Sequence, residues 1–140
     1  MTFNVEDLIP HRGRMKLIDV VVDVCGNRAV SSTLVTSLWP CVDEDGAHPI
    51  VCIECIAQTA GTAVGWREKQ RGGHVEGRVG WLVGVKDARL SAGRIPIGTR
   101  LTTTAEIVNS ELSYAEVLGF VETESARIAE ATLQVYWPEE

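Results

Sequence analysis

The sequence predicts an α+β domain in which an antiparallel sheet wraps one long buried helix. Three observations predict it. Residues 50–69 form a segment of nearly twenty residues, apolar on almost every face up to Val64 and too long for a strand. Stretches rich in β-branched or alternating apolar residues lie on both sides of it. Gly, Pro and Asn punctuate the chain between those stretches, with no repeat, low-complexity run or interdomain linker.

Taken in order, residues 5–9 form a short helical or irregular opening before Pro10. Residues 15–24 read as a strand, Cys25-Gly26-Asn27-Arg28 as a turn, and residues 29–36 as the returning strand of a hairpin. Residues 37–49, with Pro40, Pro49, Gly46 and three acids, read as a loop. In the helix that follows, Ala57, Ala60, Gly61, Ala63 and Gly65 let other backbones come close. Each of the two glycines costs about 1 kcal/mol of helix propensity relative to Ala, which close packing would offset. Arg67 to Arg71 reach solvent and Gly72-Gly73 ends the helix. Strands are expected over 79–89, 100–109, 113–122 and 127–137, completing a meander, with Leu101, Thr103, Ala105 and Ile107 on one face.

Composition narrows the function. The 140 residues suit one domain, 1–140, and 45% hydrophobic content supports one core. A net charge of −6, with Lys and Arg spread along the chain, argues against nucleic acid. Any acidic partner would need a local basic patch, for which Arg67, Lys69, Arg71 and Arg78 are the densest candidates. No apolar run reaches membrane-spanning length and the first residues do not read as a signal peptide, so a cytoplasmic protein is expected. Cys52 and Cys55 have C-x-x-C spacing inside an apolar run, without the turn of a redox pair or nearby extra ligands. They read as packing residues, and no metal is expected.

Two motifs stand out. Leu8-Ile9-Pro10-His11-Arg12-Gly13-Arg14-Met15-Lys16-Leu17-Ile18-Asp19 resembles the opening of the 3-hydroxyacyl-[acyl carrier protein] dehydratases, a hotdog-fold family. Cys52-Ile53-Glu54-Cys55-Ile56-Ala57-Gln58-Thr59-Ala60-Gly61 resembles that family's helix core. The stretch from Gly84 to Arg89 and the turn Pro96-Ile97-Gly98-Thr99 are similar to later family segments, so the resemblance covers nearly the whole chain in order. The helix through Gly65-Trp66 and the acidic loop Asp43-Glu44-Asp45-Gly46 most resemble the dehydratase-like proteins of aryl-polyene biosynthesis clusters. The sequence departs from the family at its loop His: counting back from Glu54 gives Pro40 there.

Dehydration of a 3-hydroxyacyl thioester needs a base for the C2 proton and an acid for the C3 hydroxyl, and a His with a carboxyl is the natural pair. Amide N–H groups at a helix N-terminus can stabilise the thioester carbonyl. Glu54 is the candidate acid; the alternatives are a solvated or capping carboxylate. His48 and His11 are the candidate bases, against an exposed loop residue for His48 and a structural residue of the motif for His11. Gln58, one turn beyond Glu54, either orients it or is a buried amide; Gln58 and Gly61 are the candidate substrate-binding positions. Asp43 and Asp45 read as loop residues, with a substitute acid as the alternative, and His74 as a loop residue. Trp39, Trp66, Trp81 and Trp137 read as core or interface anchors.

The resemblance implies a dehydratase acting on an acyl carrier protein thioester without a cofactor, as a homodimer or a heterodimer with another hotdog subunit. Two alternatives stand beside it: a thioester hydrolase, and a non-catalytic or half-site subunit of a heteromeric dehydratase.

Overall fold

The computed structural model describes residues 3–72, 81–91 and 93–136. Its helix, α1 (Val51–Gln70), carries an antiparallel six-stranded sheet of β1 (Val20–Cys25), β2 (Arg28–Leu34), β5 (Trp81–Leu90), β6 (Arg100–Glu111), β7 (Tyr114–Glu122) and β8 (Arg127–Tyr136). A two-stranded ribbon, β3 (Val42–Asp43) and β4 (Gly46–Ala47), precedes the helix within the expected loop. This is the hotdog arrangement.

Alternation fixes which face of each strand meets the helix. Leu101, Thr103, Ala105 and Ile107 of β6 turn inward as expected, beside Ala115, Val117 and Val121 of β7 and Ala131, Leu133 and Val135 of β8. The inward residues at the sheet centre are small, and the helix settles close. A Cβ on Gly119 would overlap the side chain of Ile56. Ser31 and Thr59 hydroxyls meet across this contact at 2.7 Å, and within the helix Thr59 Oγ1 donates to the Cys55 carbonyl.

The strand order is β1-β2-β6-β7-β8-β5, which corrects the expected meander. β6, β7 and β8 follow one another, but β5 pairs with β8 and β2 takes the place beside β6. The connection between β5 and β6 carries buried Ile95, which exchanges both backbone hydrogen bonds with Ala47 of β4 (2.8 and 2.9 Å). Those bonds and that burial draw the chain away from an adjacent hairpin.

The first strand starts later than expected, at Val20. Residues 13–15 form a 3-10 turn instead. Before β1 the chain is laid along the helix. Leu8 crosses at Gly65, where a Cβ would overlap the Leu8 carbonyl oxygen, and Ile9 lies against Gly61, 3.3 Å from the place of its Cβ. Val5, Leu8, Ile9, Ile18 and Val21 form a second, smaller core there, and Phe3 meets Trp66 edge-on at 5.0 Å. The close approach anticipated for the helical glycines is therefore made at Gly65 by the N-terminal segment. Trp39 is buried, whereas His74, Arg78 and Trp137 lie outside the described residues.

Gly65→Ala is expected to destabilise the protein by about 1–3 kcal/mol through overpacking, despite alanine's better helix propensity. A urea-unfolding midpoint unchanged or raised by the substitution would contradict this packing.

Candidate active site

Along α1 the half-buried residues Glu54, Ala57, Gly61, Val64 and Glu68 make one stripe, at spacings that keep them on one side of the helix. The sheet covers most of the rest, and the N-terminal segment covers Gly65 and runs along this side toward the helix N-terminus. The segment delivers His11 to Glu54: Nε2 stands 3.5 Å from Glu54 Oε1, and each side chain is 34% exposed. Both groups thus lie at a surface opening with their stems in the packed interior.

Gln58 holds the carboxyl from behind. It is buried, and its amide is used on both ends. Oε1 accepts the Leu17 N–H (3.0 Å), while Nε2 donates to the Met15 carbonyl (2.6 Å) and to Glu54 Oε1 (2.9 Å). Accepting from an N–H identifies the oxygen end of the amide, so the other end must be the donor facing Glu54. Among the described residues, Glu54 Oε2 takes no hydrogen bond. The carboxyl is therefore fixed through one oxygen and open through the other.

His48 is engaged elsewhere. Its Nδ1 accepts the Ile50 N–H at 3.0 Å, closing off the start of the helix. The next amides are also taken: Val51 N–H donates to His48 O, Cys52 N–H to Pro49 O and Ile53 N–H to Ile50 O. These first N–H groups of the helix are thus occupied, and its N-terminus keeps only its dipole to offer. His48 lines a shallow depression of ≈ 480 Å³ with Cys41, Val42, Asp43, Ile50 and Arg94, and Glu54 is not part of its lining. Asp43 pairs there with Arg94 at 2.9 Å and its Oδ1 accepts the Asp45 N–H, so the Asp43 carboxylate serves the ribbon turn. Gly61 is the seat of Ile9.

The site also contains what the sequence did not single out. Arg12 binds three carbonyls around His11. The backbone of Met15 and Leu17 meets Gln58. The partners of Arg12 are local, one to six residues away, whereas Met15 and Leu17 meet Gln58 from more than forty residues away. Arg12, Arg14 and Lys16 follow His11 on the same segment, where Arg12 and Lys16 meet Glu6 and Arg14 donates to the Leu38 carbonyl. Arg67 and Lys69, densest in the sequence, lie about 20 Å beyond Glu54 along the helix at ~1.5 Å per residue, where they bond Asn27 and Asp7.

Cys52 and Cys55 are buried beside Glu54 on the sheet side. Burial pushes the Cys52 thiol up to about 12 and the Cys55 thiol well above its ordinary value, the latter helped by nearby Cys52, Glu54 and Asp19. Cys25 and Cys41 are exposed.

Residues 3–140 match the family model described as ApeP-like, ApeP dehydratase. No curated protein sequence matches the chain. Among solved structures, the dehydratase heterocomplex ApeI:P from Xenorhabdus doucetiae is similar at TM-score 0.91 and 22% identity, over 100% of this chain and 94% of that one. A hypothetical thioesterase protein from Streptococcus pneumoniae, solved with coenzyme A, is similar at TM-score 0.64 and 14% identity, over 86% and 85%. A sigma28-regulated virulence protein from Campylobacter jejuni is similar at 0.66 and 18%, over 97% and 89%. Among the described residues, no helix is long and apolar enough to cross a membrane.

A thiol held protonated by a raised pKa is a poor nucleophile. At pH 8 the folded protein should take up N-ethylmaleimide at Cys25 and Cys41 only. Peptide mass spectrometry checks this, and fast labelling of Cys52 or Cys55 before unfolding would contradict it.

Proposed function

The chain belongs to the ApeP-like dehydratase family, and from that premise we propose that it removes water from a 3-hydroxyacyl thioester carried on an acyl carrier protein, giving the trans-2-enoyl thioester. The observation that carries the reading is the His11–Glu54 pair, 3.5 Å apart in one chain. It supplies a base and an acid where the family's loop His is replaced by Pro40.

In this reading His11 takes the C2 proton on Nε2, and the C2–H electrons form the C2=C3 double bond. The C3–O bond breaks as Glu54 delivers a proton from Oε2, and water leaves. The pair is then His11 protonated and Glu54 ionised. The starting state returns as His11 Nε2 gives its proton up to solvent at the surface and solvent reprotonates Glu54 on the open Oε2. Gln58 keeps Oε1 in place throughout, so Oε2 is the oxygen that meets the hydroxyl. No organic cofactor enters, since the thioester itself makes the C2 proton acidic. Arg12, Arg14 and Lys16, on the segment that carries His11, offset the chain's net charge of −6 where an acidic carrier would approach.

The test is mass spectrometry of a 3-hydroxyacyl carrier-protein thioester incubated with the protein. Loss of one water is expected. Glu54→Gln and His11→Asn should each slow it by about 10²–10⁴-fold, the usual worth of a positioned proton-transfer group. Free acid plus thiol would instead identify a thioester hydrolase, and unchanged substrate would identify a non-catalytic subunit. The same substrate on pantetheine alone should lose the salt sensitivity expected of the carrier-borne form.

We also propose that a second hotdog subunit joins at β5. Among the described residues that strand pairs with β8 on one side only, and Leu82, Val83 and Val85 expose apolar surface on it. An unpaired ten-residue edge of this kind is a template for another chain. Val83→Lys, at an irregularity in the pairing with β8, should leave the fold intact and shift the sedimentation profile toward monomer. An unchanged profile would place the contact elsewhere.

A further inference from the structure

We infer that Arg12 is a positioning residue for His11, holding the imidazole at Glu54 by clamping the backbone on both sides of it. The rate consequence rests on the dehydratase reading; the structural one does not. The ring has little of its own to hold it. Nε2 is 3.5 Å from Glu54, long for a hydrogen bond, and Nδ1 is buried without a partner. The ring's direction must therefore come from its backbone. Pro10 fixes its own φ just before it. Arg12, just after it, folds its side chain back: Nη1 donates to the Ile9 and His11 carbonyls and Nη2 to the Glu6 carbonyl, each at 2.8 Å. One planar group thereby ties together Glu6, the residue before Pro10 and His11 itself. Its Nε faces Glu6 Oε1 at 3.9 Å, and Lys16 reaches the same carboxylate oxygen at 3.4 Å, so Glu6 is held against the clamp.

The guanidinium is the group that can do this. It presents donors in a fixed fork, whereas an ammonium is a single flexible point charge. The side chain is nearly half exposed, so its contribution is these directed bonds rather than core packing. The clamp lies on the N-terminal segment whose path over Gly65 and Gly61 has already set its direction. What remains to be fixed is the last step to Glu54, and Arg12 acts there.

The experiment compares wild type with Arg12→Ala and Arg12→Lys, reading turnover and the ¹H–¹³C resonances of the His11 ring; Arg12→Gln stands in if Arg12→Ala does not fold. A misplacement of about 1 Å at a reacting group costs on the order of 10² in rate. The expected result is a kcat about 10²-fold lower in Arg12→Ala with KM nearly unchanged, and His11 resonances moved toward those of a free imidazole. Arg12→Lys should recover neither, while guanidinium ion at non-denaturing concentration should partly restore Arg12→Ala. Unmoved His11 resonances, full recovery by lysine, or a raised KM with kcat intact would overturn the inference. If wild type shows no turnover, the dehydratase reading fails, and the His11 resonances alone decide the positioning role.

Discussion

The site depends on one buried amide. Gln58 carries an acceptor and two donor hydrogens into a place that water does not reach, and each finds a partner. A buried amide with any of these unmet would cost about 1–3 kcal/mol, so the surrounding chain is strongly held to this one arrangement. The carbonyl of Met15 and the N–H of Leu17 are thereby pinned to the middle of α1. Because the second donor hydrogen points to Glu54, the bonding that joins the N-terminal segment to the helix also aims the carboxyl. Packing and chemistry share the residue.

Around it, small side chains decide where backbones run. Gly119 lets the sheet close on Ile56, and Gly65 and Gly61 let residues 8 and 9 lie on the opposite face of the same helix. The helix is apolar all round because the sheet covers most of it and the N-terminal segment covers much of the remainder. Glu54 stands where that second cover ends. The exposure it retains follows from a gap between two packing layers and needs no separate cavity.

Much of the fold was legible. The helix, read as 50–69, runs Val51–Gln70, because an apolar run of that length has no other plausible form. The alternation in 100–109 placed the inward face of β6 correctly. The strand expected from residue 15 was misread for a physical reason. Residues 15–19 have β-branched neighbours and apolar character, but several of their backbone groups are spent on side chains. Met15 and Leu17 bond Gln58, and the Leu17 carbonyl accepts from the Thr33 hydroxyl. The position of β5 beside β8 rests on long-range pairing and on Ile95, which no local pattern reports. In the site, Glu54 and Gln58 were readable because they share a helix face. His11 was weighed mainly as structural because Glu54 lies 43 positions further along the chain and their meeting leaves no periodic trace.

The second core described above sets how the molecule comes apart. Val5, Leu8, Ile9, Ile18 and Val21 form a cluster distinct from the larger one between helix and sheet. Few residues bury this segment, and cooperative units with little buried apolar contact open at lower free energy than the whole. His11 rides on that segment and Glu54 on the main body. Local fraying of the first twenty residues would therefore separate base from acid while helix and sheet stay folded. Loss of activity on warming would precede loss of ellipticity, and hydrogen exchange would find the amides of residues 8 to 17 opening ahead of those in β6 and β7.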